Sequence, residues 1–64
     1  MAKDIIYRFS IFFSSREDIT KSYYFGDFEI IASSEGNATS RVSLICNGLM
    51  VTDSDHIYYY KLLV

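Results

Sequence analysis

The chain has 64 residues, half of them hydrophobic, with 17% aromatic, 22% charged, no Pro and no Trp. A chain this short buries only about 60% of the surface it exposes when unfolded, which excludes a second domain, an enclosed cofactor cavity and a large enzyme scaffold. One cysteine excludes an intrachain disulfide framework and a Cys-rich zinc site, and a formal net charge of −2 lacks the basic footprint of a phosphate-backbone binder.

The alternation of Ile5, Tyr7, Phe9, Ile11 and Phe13 predicts a strand over residues 4–13, with Ile6, Arg8, Ser10 and Phe12 on its other face. Arg8 interrupts the first apolar stretch, so no secretory signal is expected and a cytoplasmic protein is. Residues 14–18 form a polar connection, in which the Ser14…Glu17 and Ser15…Asp18 spacings leave open one helical turn or an ordinary loop. A second strand, or two short ones, is expected over residues 21–32, where Tyr24, Phe28, Ile30 and Ala32 share even positions. Gly26-Asp27 marks a slip in its pattern, as at a bulge. Ser33 to Asn37 reads as a loop.

Residues 39–51 carry two conflicting signals. Val42, Ile45, Cys46, Leu49 and Met50 stand at helical spacing, with Thr39 or Ser40 as N-cap. Asn47-Gly48 instead suits a tight hairpin between short strands. Asp53-Ser54-Asp55 then reads as a turn, and residues 56–64 as a closing strand. The expected fold is α+β: a small antiparallel sheet with one short helix near 40–50 packed on one face. The alternative is an all-β five-stranded meander or small barrel.

Ile30-Ile31-Ala32-Ser33-Ser34-Glu35-Gly36, then Ser40-Arg41, then Asn47-Gly48-Leu49, resembles the pattern of the YegP-like family over about a third of the chain. The resemblance implies a three-stranded meander leading into a helix that holds the Asn-Gly pair. Asn37 stands where that family favours an aromatic, and the spacing from Glu35 to Asn47 is about two residues long for it. The resemblance implies no activity.

Asp53, Asp55 and His56 are the one cluster with site-like chemistry, but nothing in the sequence completes a metal shell around them. A turn whose side chains bond local backbone is the expected reading. Cys46 lies on the apolar stripe without a basic neighbour and reads as an inert buried thiol. With no Gly-x-Ser-x-Gly elbow and no Gly-rich phosphate loop, neither an enzyme, nor a cofactor, nor a small-molecule substrate is expected. No apolar run approaches the ~18 residues that a membrane helix needs.

The aromatic clusters Tyr23-Tyr24-Phe25 and Tyr58-Tyr59-Tyr60 must send rings to both faces of their strands. A single helix covers one face of so small a sheet, leaving an aromatic face for a protein partner or a second copy of the chain. Tyr23, Phe25, Tyr58 and Tyr60 are the expected contacts, with Tyr59 replacing them if the register shifts by one. A tight barrel-like core is the competing account of the same rings. A second functional reading is single-stranded nucleic acid, stacked on the aromatics with Arg8, Lys21, Arg41 and Lys61 near the backbone. Asp27, Glu29 and the negative net charge oppose it.

Overall fold

The computed structural model describes residues 3–63. The elements are β1 (Ile5–Ser15), β2 (Asp18–Ala32), α1 (Glu35–Thr52) and β3 (His56–Leu62). The strands form one antiparallel sheet in the order β2-β1-β3, and α1 packs on one face of it, an α+β architecture. The five-stranded all-β alternative is excluded, because residues 39–51 lie inside the helix. Val64, placed at the end of the closing strand by the sequence pattern, lies outside the described residues.

The first hairpin turns on Arg16-Glu17, between the paired Ser15 and Asp18. The single helical turn considered for residues 14–18 is therefore replaced by a two-residue β-turn. No described residue has a positive φ, so this is not the left-handed turn that best matches strand twist. The mismatch is taken up next to the turn: between the Phe13–Tyr23 and Ser15–Asp18 pairs, β1 contributes Ser14 alone and β2 contributes Ile19 to Ser22. A second irregularity lies further along. Ile11 faces Gly26 and Phe12 faces Tyr24, so Phe25 is an extra, bulged residue. The slip foreseen at Gly26-Asp27 is thus real, but it reverses the faces across it. Tyr24 points to the opposite side from Phe28, Ile30 and Ala32, correcting the expectation that these even positions share a face.

The connection from β2 to β3 must return along the sheet, because both strands run antiparallel to β1. At ~3.3 Å per residue, the ten steps from the Ile5 row to the Ser15 row span about 33 Å. The 18 residues of α1 cover about 27 Å of that, whereas a helix confined to residues 39–51 would cover only about 20 Å. The helix accordingly begins at Glu35, not beside Thr39 or Ser40. Ser34 is its N-cap, with Oγ accepting from the Asn37 backbone N–H at 3.2 Å, and the Asn37 side chain donates to Ser33 Oγ at 2.8 Å. What reads as a loop at 33–37 is a cap and a first helical turn. Arg41 ties the helix to β2 by donating to the Ile31 carbonyl at 2.6 Å.

The core lies between helix and sheet. Ala38, Val42 and Cys46 recur every four residues along the buried face of α1 and meet Phe9, Ile11, Ala32 and Tyr58. Ile45, Leu49 and Met50 flank them, so the apolar stripe seen in the sequence is the packed face, extended one turn by Ala38. Gly48 lies on the exposed side of the helix, and nothing stands within 4 Å of where its Cβ would be.

Candidate interaction surface

Pairing across β1 sorts the side chains into two faces. On the helix side, Phe13 is the hub of an aromatic cluster, stacked on Tyr23 at 5.5 Å and tilted against Tyr58 at 5.7 Å. Phe25 meets Tyr58 edge-on at 5.5 Å and stacks on Phe28 at 6.3 Å, and the bulge is what turns Phe25 to this side. Tyr58 is buried, and its hydroxyl donates to Asp53 Oδ2 at 3.0 Å. Tyr60 meets Phe9 edge-on and remains partly exposed on β3. Of the residues expected as contacts, Tyr23, Phe25, Tyr58 and Tyr60 thus share the helix side: Tyr58 is in the core, while Tyr23 and Phe25 form an exposed aromatic ledge beside the helix.

The other face of the sheet carries no covering element among the described residues. Its rows run across the strands. Tyr59, Phe12 and Tyr24 form an aromatic row, with Phe12 stacked on Tyr59 at 5.8 Å and edge-on to Tyr24 at 5.9 Å. The Ser22 hydroxyl is hydrogen-bonded to Tyr59 Oη. The next row is Lys61, Ser10 and Asp27, where Ser10 Oγ donates to Asp27 Oδ1 at 2.7 Å. Arg8 and Glu29 follow, joined by an exposed ion pair at 2.9 Å, and the Leu63 N–H donates to the Arg8 carbonyl at 2.8 Å. Ile6 and Ile31 close the face and are 58% and 57% exposed. Tyr24 is 59% exposed and Tyr59 39%, so this face presents large aromatic side chains to solvent.

Electrostatically this face is mixed. The Ser10 hydroxyl, then Tyr24, then Arg8 hold the Asp27 carboxyl below its ordinary value, and Asp27 in turn pushes the Tyr24 phenol up. Asp27 is therefore a firm carboxylate, and Arg8 is occupied by Glu29.

The Asp53, Asp55 and His56 cluster resolves into a structural turn. Asp53 receives His56 Nδ1 at 2.9 Å and the Asp55 backbone N–H at 3.3 Å, besides the Tyr58 hydroxyl. Arg16 reaches over from the hairpin and donates to the Ser54 carbonyl at 2.6 Å. Among the described residues, no group of three or more His, Cys, Asp or Glu is placed to hold a metal ion, and no helix is long and apolar enough to cross a membrane. Cys46 is buried in the core, and burial raises its thiol pKa. Comparison with family models, with curated proteins and with solved structures returned no match for this chain. Two strands rather than three precede the helix here, although the helix does contain Asn47-Gly48 as the YegP-like pattern implies.

Sequence reasoning missed which aromatics stand on the bare face. Phe12 follows from the alternation of β1, but Tyr24 needed the one-residue bulge to be placed at Phe25, and the glycine beside it was the only available sign.

Proposed function

We propose that this chain is a small non-catalytic protein-binding module that docks through an aromatic sheet face in the cytoplasm. Proteins of this build serve as inhibitors, as immunity-type proteins or as accessory proteins of phages and mobile elements, and the proposal places this chain among them by class. The observation that carries it is the uncovered face, where Ile6, Phe12, Tyr24, Ile31 and Tyr59 meet solvent around a narrow charged band. Tyrosine suits docking because it offers a large ring and a polar tip at small entropic cost. Patches of this kind mark interaction sites. Two depressions among the described residues, one beside Arg8, Asp27, Glu29 and Leu63 and one beside Arg16 and His56, are open-sided, which suits binding better than catalysis.

A photo-cross-linking residue at position 24, introduced in cells, is the direct test. The reading expects covalent adducts to protein from position 24 and far fewer from position 44, on the exposed side of the helix. Equal yields at the two positions, or none at either, would sink it. Single-stranded nucleic acid is the weaker alternative, since Asp27 and Glu29 share the face with Tyr24 and Glu29 occupies Arg8. Binding of an oligonucleotide that weakened steeply with salt would revive it.

A further inference from the structure

Resting on that reading, we infer that the occupant of the bare face is a second copy of the chain, related by a two-fold axis lying along β1. Three features converge on this arrangement. The first is area. The molecule measures 46 Å by 20 Å by 14 Å, so its broad side is at most on the order of 900 Å² in projection, enough to hold the ~800 Å² per partner of a stable interface of ordinary size.

The second is charge. Lys61 and Asp27 occupy opposite margins of one row, each paired with Ser10 of the central strand. A two-fold axis along β1 exchanges the margins. It lays Lys61 of each copy over Asp27 of the other, forming the same cross-sheet pair twice. Arg8 falls near the axis with its own Glu29 beside it as counter-ion, so the two arginines do not meet uncompensated.

The third is the apolar pattern on either side of that band. The same rotation sets Tyr24 over Tyr59 of the other copy, Tyr59 over Tyr24, Phe12 against Phe12 and Ile6 against Ile6, so each ring row meets a ring row. Two sheets packed face to face lie roughly 10 Å apart with their strands within about 30° of each other, a geometry this aligned pairing fits. The product is a four-layer sandwich, helix–sheet–sheet–helix, in which the apolar rows supply the attraction and the marginal charges set the register.

The test is a charge exchange read by light scattering and sedimentation. The unaltered chain should rise with concentration to twice the mass of a single chain. Asp27→Lys and Lys61→Glu should each weaken self-association by about tenfold or more at low salt, because each places like charges opposite one another. Mixed in equal amounts, the two variants should recover the dimer, since the mixed pair restores an opposite-charge contact at both margins. Lys61 is exposed and makes no side-chain hydrogen bond among the described residues, so Lys61→Glu separates the interface from the fold, and circular dichroism checks that both variants keep their helix. A single-chain mass at every concentration overturns the inference, as does a dimer indifferent to both variants or a mixture that fails to recover. A monomer that still forms foreign adducts from position 24 overturns the second copy while leaving the binding reading intact. A monomer without adducts removes both.

Discussion

Asp53 ends the helix and begins the last strand. Its backbone N–H donates to the Leu49 carbonyl at 2.8 Å, and its carboxylate gathers His56, Tyr58 and the Asp55 N–H. The His56 bond, followed by that of Tyr58, holds this carboxyl below its ordinary value. A carboxylate depressed in the folded state stabilises fully above its unfolded value, and that contribution is lost as pH falls through the folded value. Asp53→Asn is therefore expected to lower the urea midpoint at neutral pH. The gap from the unaltered chain should close as the pH drops below about 4, where an unfolded aspartate takes up its proton. Tyr58→Phe keeps the ring in its cluster and removes one donor, so it should reproduce a smaller part of the same pH-dependent loss. A gap that stays constant into acid would show that the carboxylate's charge contributes nothing.

At the scale of elements, α1 shows both what the sequence holds and where it is mute. Val42, Ile45, Cys46, Leu49 and Met50 mark the buried stripe without help from the structure, and they outweigh the hairpin signal of Asn47-Gly48 because both those residues fall on the outer side. The helix start was hidden, since Ser-Ser-Glu-Gly-Asn has loop composition, and only the length of sheet to be recrossed demands that it be helical. The binding surface was less legible still. Every strand has aromatics on both sides, and which side the helix takes is decided by packing across the whole sheet rather than by local pattern. Two substitutions follow from the helix itself. Gly48→Ala meets open space and no left-handed backbone, so it should stabilise the chain by about 1 kcal/mol. Ser34→Ala removes the acceptor for the Asn37 N–H and should destabilise it by about 1 kcal/mol. Thermal melts of the two variants should shift in opposite directions. A destabilised Gly48→Ala would mean that the outer side of the helix is not open.

The whole molecule is long and thin. Its radius of gyration is 12.9 Å, against about 11 Å for a compact chain of this length. The cause lies in the topology: a 15-residue strand forms one edge, a 7-residue strand forms the other, and a single helix covers one side. Only the C-terminal part of β1, from Phe9 to Ser15, is flanked by strands on both sides. Protection of backbone amides against hydrogen exchange should follow that geography. The slowest amides should be those of β1 from Phe9 to Phe13 and of α1 near Val42 and Cys46. The β1 amides near Ile5, beyond the reach of β3, and those of Ile19 to Ser22 should exchange quickly. The outward amides of β2 make the measurement discriminating. A face-to-face pair of sheets leaves that edge in water, so its amides should stay fast even at concentrations where the mass has doubled. Concentration-dependent slowing along the β2 edge would instead show strands pairing side by side, and would move the contact from the aromatic face to the margin of the sheet.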